Sequence, residues 1–500
     1  MPAESLPGRL AQKAADLCDR ILLSRWLWSY VLLAGALVTL PNLGRESLWL
    51  DELFSAYSSF TPLSVKELFA EHVLMDVHPP LYPVILYFWG KVVGQSEFIA
   101  RLPSYLALSA GLIGSYALLR PVLPRRVAAL YLVIISFTPG VIYYAQEMRP
   151  YGLLLGVSAV LSALYVRFRR SITTDAPISR GLLWLYTVSA LLAVYTHLYA
   201  NLLLAALALP LLEQAQKRHA RSNLRRLLCA HLVVATLSAL WLFVHFRYGT
   251  LTAKMGGNFW IREADLGSHL GRFLRLLVGN PWGGLAYATL ALALFVLSRP
   301  RAVFRDSWPL IAPVLLVFVA ALATSFHTPT ITARNLIVTL PLLALVVAHA
   351  ANAAYAYAGG CVALFLMLLT AAGTVHSFSY RKTGWREAAM YVRRNFSPKS
   401  CAVPVRDLVD PDHGQNFAIY PRYYLGDTFR FTTTGPTVQP ECDLILYDAH
   451  VTDKQGVEAL LSKYGIHAPH QILEFHGAYV VVRRHGEERG ATTHVAAAGG

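Results

Sequence analysis

The feature that most constrains this chain is the recurrence of long apolar runs, separated by short hydrophilic breaks, from Trp26 to about Gly373. A helix that crosses a bilayer needs about 17 to 25 mostly apolar residues. Runs of that kind fall near Trp26–Leu43, Leu102–Leu119, Val127–Ile142, Tyr151–Phe168, Leu182–Thr196, Leu198–Leu212, Leu227–Phe246, Trp282–Leu297, Trp308–Ala323, Leu336–Ala350 and Ala354–Gly373. They predict a mainly α, polytopic membrane domain of about 11 spans over 26–375. Composition agrees. Of 500 residues 55 % are hydrophobic and 15 % charged, against about 45–50 % apolar and about 25 % charged in soluble domains.

The formal charge of +15 would suit a nucleic-acid partner, but its distribution reports topology instead. Of the 44 basic residues, 19 lie in five breaks: Arg9 to Arg25, Arg120 to Arg126, Arg167 to Arg180, Lys217 to Arg226 and Arg299 to Arg305. If the spans alternate, all five fall on one side, which the positive-inside rule makes cytoplasmic. Attraction to anionic lipid is a secondary effect. Residues 1–25 are polar and basic and lack the short apolar core of a cleaved signal, so the first span reads as a retained anchor.

An odd number of spans then puts the N-terminus in the cytoplasm and everything from His376 onward outside. The first loop, 44–101, lies outside too, as do Tyr143–Tyr151, Arg247–Pro281 and Ser325–Asn335. Glu46, Asp51, Glu52, Glu67, Glu71, Asp76, Glu97 and Glu147 all fall on outer stretches. In the first loop, "ELFSAYSSF" and "PPLYPVILYFWGKVVG" are too short or too punctuated to span and too apolar for open water. They read as helices in the membrane interface, holding Asp51 and Asp76 near headgroup depth.

Residues 376–484 change character and predict a small α/β domain, followed by a disordered tail over 485–500. "WREAAMYVRRNF" and "KQGVEALLSKYG" have helical periodicity, "CAVPV" and "CDLILYD" read as short strands, and "ILEFHGAYVVVRR" reads as a hairpin about His-Gly. Of the five cysteines, Cys18 should face the cytoplasm and Cys229 and Cys361 should lie in spans. Cys401 and Cys442 begin predicted strands; they are either a disulfide, if the compartment is oxidising, or two small buried residues.

An outward site with acids and a few cations at lipid level suits a polyprenyl-phosphate sugar, whose phosphate lies at headgroup depth. Moving the sugar needs a base for the acceptor's hydroxyl proton and cations for the charge that grows on phosphate. The adjacent acids Asp51 and Glu52 are either solvated acids capping an interfacial helix or a base with a neighbour that orients partners or helps bind a divalent cation. Asp76 and His78 can hydrogen-bond sugar, phosphate or metal, and Pro79 and Pro80 fix the backbone beside them. Glu147 and Arg149 are an ion pair at a helix end or, for the arginine, a bidentate phosphate clamp.

Arg334 either snorkels or joins that clamp, and His197 is an outer-edge histidine or a ligand. His327 and Lys254 are lesser candidates. The sequence has no Cys/His cluster with metal spacing, no P-loop and no GxGxxG, which speaks against an ATP-driven pump. A secondary transporter or lipid flippase is the rival class. It calls for mid-span ionisable groups and related halves, whereas mainly His231 lies within a span.

In order, "LWLDE", "DVHPPLYPVILYFWGKVVGQSEFIARLPS", "VIYYAQEMRPYGLLL", "THLYA", "ARNLIVTLPLL" and "GWREAAMYVRRNFSP" resemble the bacterial membrane glycosyltransferases of the GT-C superfamily. The similarity is to the branch related to protein O-mannosyltransferases and lipid A aminoarabinose transferases, over roughly residues 26–400. The resemblance implies an inverting transferase with a polyprenyl-phosphate sugar donor and a glycan, lipid or protein acceptor of the cell envelope. Asp51 stands where the family has its catalytic acid. The interfacial helices and the turn carrying Glu147 are implied parts of the site. The aminoarabinose transferases resemble "EKPPL" where this chain has "VHPPL", so His78 replaces a phosphate-binding lysine and Val77 replaces an acid.

Overall fold

The computed structural model describes residues 13, 16–74, 76–248, 266–278, 300–326, 330–379, 381–397, 401–404, 423–426, 430–431, 444–447, 454–463 and 470–483. The expected span Trp282–Leu297 lies outside them, as do Lys254, His327, Cys442 and the tail. The chain divides into two compact units, Met1–Arg45 with Ser58–Tyr380, and Glu46–Tyr57 with Arg381–Gly500.

The first unit is helical: α1 Leu27–Leu43, then the end of α2 Leu50–Phe60, α3 Leu81–Val92, α4 Glu97–Leu119, α5 Arg125–Phe137, α6 Pro139–Ala145, α7 Tyr151–Thr173, α8 Arg180–Val194, α9 Tyr199–Lys217, α10 Arg221–Tyr248, α11 Leu266–Val278, α12 Pro300–Ser325 and α13 Leu340–Ser379. The two expected interfacial helices of the first loop are α2 and α3. Among the described residues six apolar segments are long enough to cross a membrane, or eight when two bent pairs each count as one span. This is a multi-pass membrane protein.

Three expected spans differ in shape. The run Val127–Ile142 breaks into α5 and α6, bent by 59°, because Pro139 has no N–H to give and drives Thr138 into extended backbone. Leu336–Ala350 and Ala354–Gly373, expected as separate crossings, lie on one unbroken helical run that begins as a 3₁₀ turn at Leu336–Thr339 and continues as the 40-residue α13. Their junction, "AANAAYAYA", offers alanine, the best helix former, and no proline. At about 1.5 Å per residue α13 spans roughly 60 Å, twice the hydrocarbon thickness of about 30 Å.

The described residues of the basic breaks lie at one end of this unit. There Arg126 grips both carboxylate oxygens of Asp19 at 2.8–3.0 Å. Asn223 bridges Ile178 N and Ala176 O at 2.9 and 3.0 Å. Contacts at the other end join different loops: Leu81 N–H donates to Tyr195 O at 2.9 Å, and the Tyr199 hydroxyl to Thr330 at 3.1 Å.

The tightest helix contact is between α4 and α7. A Cβ on Gly111 would overlap the Gly156 backbone, and one on Gly156 would lie 2.6 Å from Ala107 O. One on Gly152 would lie 2.9 Å from Ser104. Lipid gives little hydrophobic drive between helices, so small residues at i, i+4 let backbones approach and dispersion hold them. Arg101 of α4, 1 % exposed, donates to Leu43 O at 2.7 Å, placing a cation on the C-terminal end of α1 where the dipole favours it.

In the second unit a five-stranded sheet has the order β2-β1-β3-β5-β4, with β1 Cys401–Pro404, β2 Arg430–Phe431, β3 Leu444–Tyr447, β4 His470–Phe475 and β5 Ala478–Arg483. β1 runs parallel to β2 and β3; β5 runs antiparallel to β3 and β4. Helices α14 Trp385–Asn395 and α15 Lys454–Lys463 complete it. The hairpin turns on His476 and Gly477, both at positive φ (44° and 80°), as a two-residue primed turn requires. This is the expected α/β module.

Gly156→Val should lower the thermal midpoint in detergent sharply, because overpacking typically costs about 1–3 kcal/mol and here the obstacle is backbone. Gly35→Val, where a Cβ meets nothing within 4 Å, should leave it nearly unchanged; thermal unfolding monitored by fluorescence separates the two.

Candidate active site

In the membrane unit the structure gathers candidates from four separate stretches of chain. Asp76 and His78 precede the Pro79–Pro80 pair that opens α3. The Asp76 carboxylate accepts from Val77 N–H at 2.6 Å and faces His78 Nδ1 at 3.1 and 3.2 Å. Asp76 O faces Nε2 of the fully buried His245, at the end of α10, at 2.8 Å. Hydrogen-bonded to a carboxylate, Nδ1 carries its proton, and Nε2 is the nitrogen that His78 presents to Arg149.

Arg149 sits in the turn between α6 and α7. Its carbonyl accepts from Ser104 Oγ of α4 at 3.1 Å, and Ser104 pairs with the Tyr82 hydroxyl of α3 at 2.7 Å. The buried guanidinium lies 3.5 Å from His78 Nε2. Glu147, in the same turn, is also buried. The Ser104 bond ties the backbone of this turn to α4.

His197 lies in the link between α8 and α9. Its ring is 5.7 Å from that of His78 and 5.8 Å from Tyr151. Its Nδ1 accepts the Tyr199 N–H at 3.2 Å, so Nε2 holds the ring's proton. Burial, reinforced by His78, Arg149 and Arg334, pushes its pKa down to about 3, against the opposing pull of Asp76. His197 is thus a neutral donor among cations. Arg334 approaches from the chain before α13, its guanidinium 6.0 Å from the centre of the Tyr151 ring. Two arginines and two histidines from separate segments converge here, with one carboxylate behind His78, as in an anion site.

Asp51 and Glu52 belong to the other unit, in the first turn of α2. Glu52 is fully buried, with Oε2 3.0 Å from Lys382 Nζ and 3.3 Å from the Trp49 N–H that donates to it. Asp51 is partly exposed, and its carbonyl accepts from Ser55 at 3.1 Å.

Sequence reasoning missed Tyr151, His245 and Lys382. An ionisable group near the outer end of an apolar span, "FVHFRY", marked His245; "RKTGW" marked nothing. Among the described residues no three His, Cys, Asp or Glu side chains are grouped to hold a metal. His231, to which the transporter reading pointed, bonds the Tyr186 hydroxyl and Leu227 O, both at 2.8 Å.

No protein-family model and no curated protein sequence matches this chain. Solved structures do. ArnT from Cupriavidus metallidurans bound to undecaprenyl phosphate superposes with a TM-score of 0.60 at 13 % identity, covering 92 % of this chain and 98 % of that one. The fold is GT-C. The apo state of the same ArnT gives 0.57 at 15 % identity over 91 % and 97 %. The Archaeoglobus fulgidus oligosaccharyltransferase with Zn and sulfate gives 0.48 at 11 % over 84 % and 68 %. At these identities the likeness to ArnT concerns the fold, not the chemistry.

The state of His197 has a pH consequence. Its folded pKa lies below the unfolded value of about 6.5, so as pH falls from there toward 3 the unfolded chain binds a proton that the folded one does not. Stability drops on the acid side, by on the order of 2 kcal/mol at pH 5 from this group. The thermal midpoint should therefore fall further between pH 7 and pH 5 in wild type than in His197→Gln.

Proposed function

We propose that this chain is a glycosyltransferase that moves a sugar from a polyprenyl-phosphate donor to an acceptor hydroxyl at the outer face of the cytoplasmic membrane, with inversion at the anomeric carbon. The observation that carries the reading is the convergence of His78, Arg149, His197 and Arg334 in a GT-C fold, at the end away from the basic breaks. Such a site is a place for a lipid phosphate. The N-terminus is cytoplasmic and residues 376–484 are extracytoplasmic in this reading.

Asp51 takes the proton from the acceptor hydroxyl, which attacks the anomeric carbon on the face opposite phosphate. The C–O bond to phosphate breaks, and the leaving phosphate keeps the electron pair. Arg149 and Arg334 take up its growing charge. His197, neutral, donates from Nε2, and His78, held through Nδ1 by Asp76, accepts from Arg149 at its other nitrogen and so orients that guanidinium. Asp76 positions His78, and Glu147 sits in the sugar or acceptor subsite. The acceptor is a lipid A core, an O-antigen or capsule precursor, another envelope glycan, or a protein.

The test is direct transfer. Purified wild type, supplied with a panel of polyprenyl-phosphate sugars and a cell-envelope extract, should label one acceptor class. Asp51→Asn should lose about 10²- to 10⁴-fold, the usual share of a general base, while retaining undecaprenyl phosphate binding. Arg149→Met should lose that binding. Unchanged transfer by Asp51→Asn would remove it as the base; proton-coupled flux in liposomes with no transfer from any donor would replace the reading with a transporter.

A further inference from the structure

Among the described residues of the second unit, the ion pair between Glu52 and Lys382 is the most deeply buried, with side chains 0 % and 4 % exposed. It does not stand alone. Arg381 Nη1 donates to Glu46 Oε1 at 2.7 Å, and Lys382 N–H to Glu46 Oε2 at 3.1 Å. The Ser47 hydroxyl donates to Thr383 O, and Leu48 N–H to the Tyr424 hydroxyl at 2.6 Å. Three residues before α2, Glu46, Ser47 and Leu48, and Glu52 within it, are thus bonded to 381–383 and Tyr424, more than 300 positions away in sequence.

Glu52 also reaches back to the N–H of Trp49, the residue before α2. This is the reciprocal half of a capping box, a carboxylate at the third helical position closing the first turn. Asp51 is the middle residue of that turn. The carboxylate that closes the turn is therefore the one Lys382 anchors.

We propose that Lys382 is a positioning residue for the transfer reaction: through Glu52 it fixes the first turn of α2 and so the direction of the Asp51 carboxylate. Glu52 then acts on Asp51 and not on substrate, and the C-terminal unit supplies the anchor. The proposal rests on Asp51 being the base. Its physical basis is that a buried charge left without its partner is strongly destabilising locally, whereas removal of both charges is tolerated. A misplacement of about 1 Å at a reacting group can cost about a hundredfold in rate.

The experiment uses the full-length protein in nanodiscs: wild type, Lys382→Met, and the neutral pair Glu52→Gln/Lys382→Met. Hydrogen–deuterium exchange over 46–57 and the kinetic constants for a polyprenyl-phosphate sugar donor are read together. Lys382→Met should speed exchange across 46–57 and lower kcat by about 10- to 100-fold, with KM for the donor within about twofold, since uniform donor binding is untouched. The neutral pair should restore slow exchange and recover at least several-fold in kcat over the single variant.

Wild-type exchange in Lys382→Met, or a loss confined to KM, overturns the proposal. So does a neutral pair with slow exchange and no recovery of kcat, which would make Glu52 a substrate-contacting group. If the wild type transfers no sugar from any donor, the transferase reading fails instead, and the exchange data still decide whether Lys382 holds this turn.

Discussion

The close approach of α4 and α7 is the contact on which the rest of the membrane unit depends. Where Gly111 meets Gly156, backbone touches backbone, and dispersion acts over a long shared face without side chains in the way. That approach brings Ser104 under the Arg149 carbonyl and Tyr82 onto Ser104. The arginine's turn is thereby fixed from two helices at once.

The cluster around Arg149 follows an electrostatic logic. Several potential cations are crowded into a poorly hydrated space, and the molecule limits their mutual repulsion by keeping His197 neutral and by placing Asp76 behind His78. What remains is a set of buried donors, in surroundings where each hydrogen bond is electrostatically stronger than in water. The second unit uses charge differently. Glu52 and Lys382 neutralise each other out of solvent at the first turn of a helix.

Much of this was legible in the sequence because membranes impose a simple code. Hydrocarbon thickness sets run length, charge asymmetry sets alternation, and the positions of Asp51, Asp76, His78, Glu147, Arg149, His197 and Arg334 at the breaks follow from both. The hairpin at His476–Gly477 was readable because only certain residues tolerate positive φ. The unbroken α13 was not, since hydropathy registers a polar interruption equally whether the chain turns there or continues as helix. The kink at Thr138 was written in Pro139, but its 59° bend depends on what packs against it.

The sequence by itself determined that this chain lives in a membrane, roughly where most of its described helices lie, and which polar residues were left at the breaks. Those are local properties of hydropathy, charge and backbone preference. The tertiary structure decided which of those residues meet: His78 with Arg149 and His197, Asp76 with His245, and Glu52 with Lys382, 330 positions away. Such pairings depend on helix-to-helix distances fixed by glycine contacts and on desolvation, and neither is a property of any one stretch of chain.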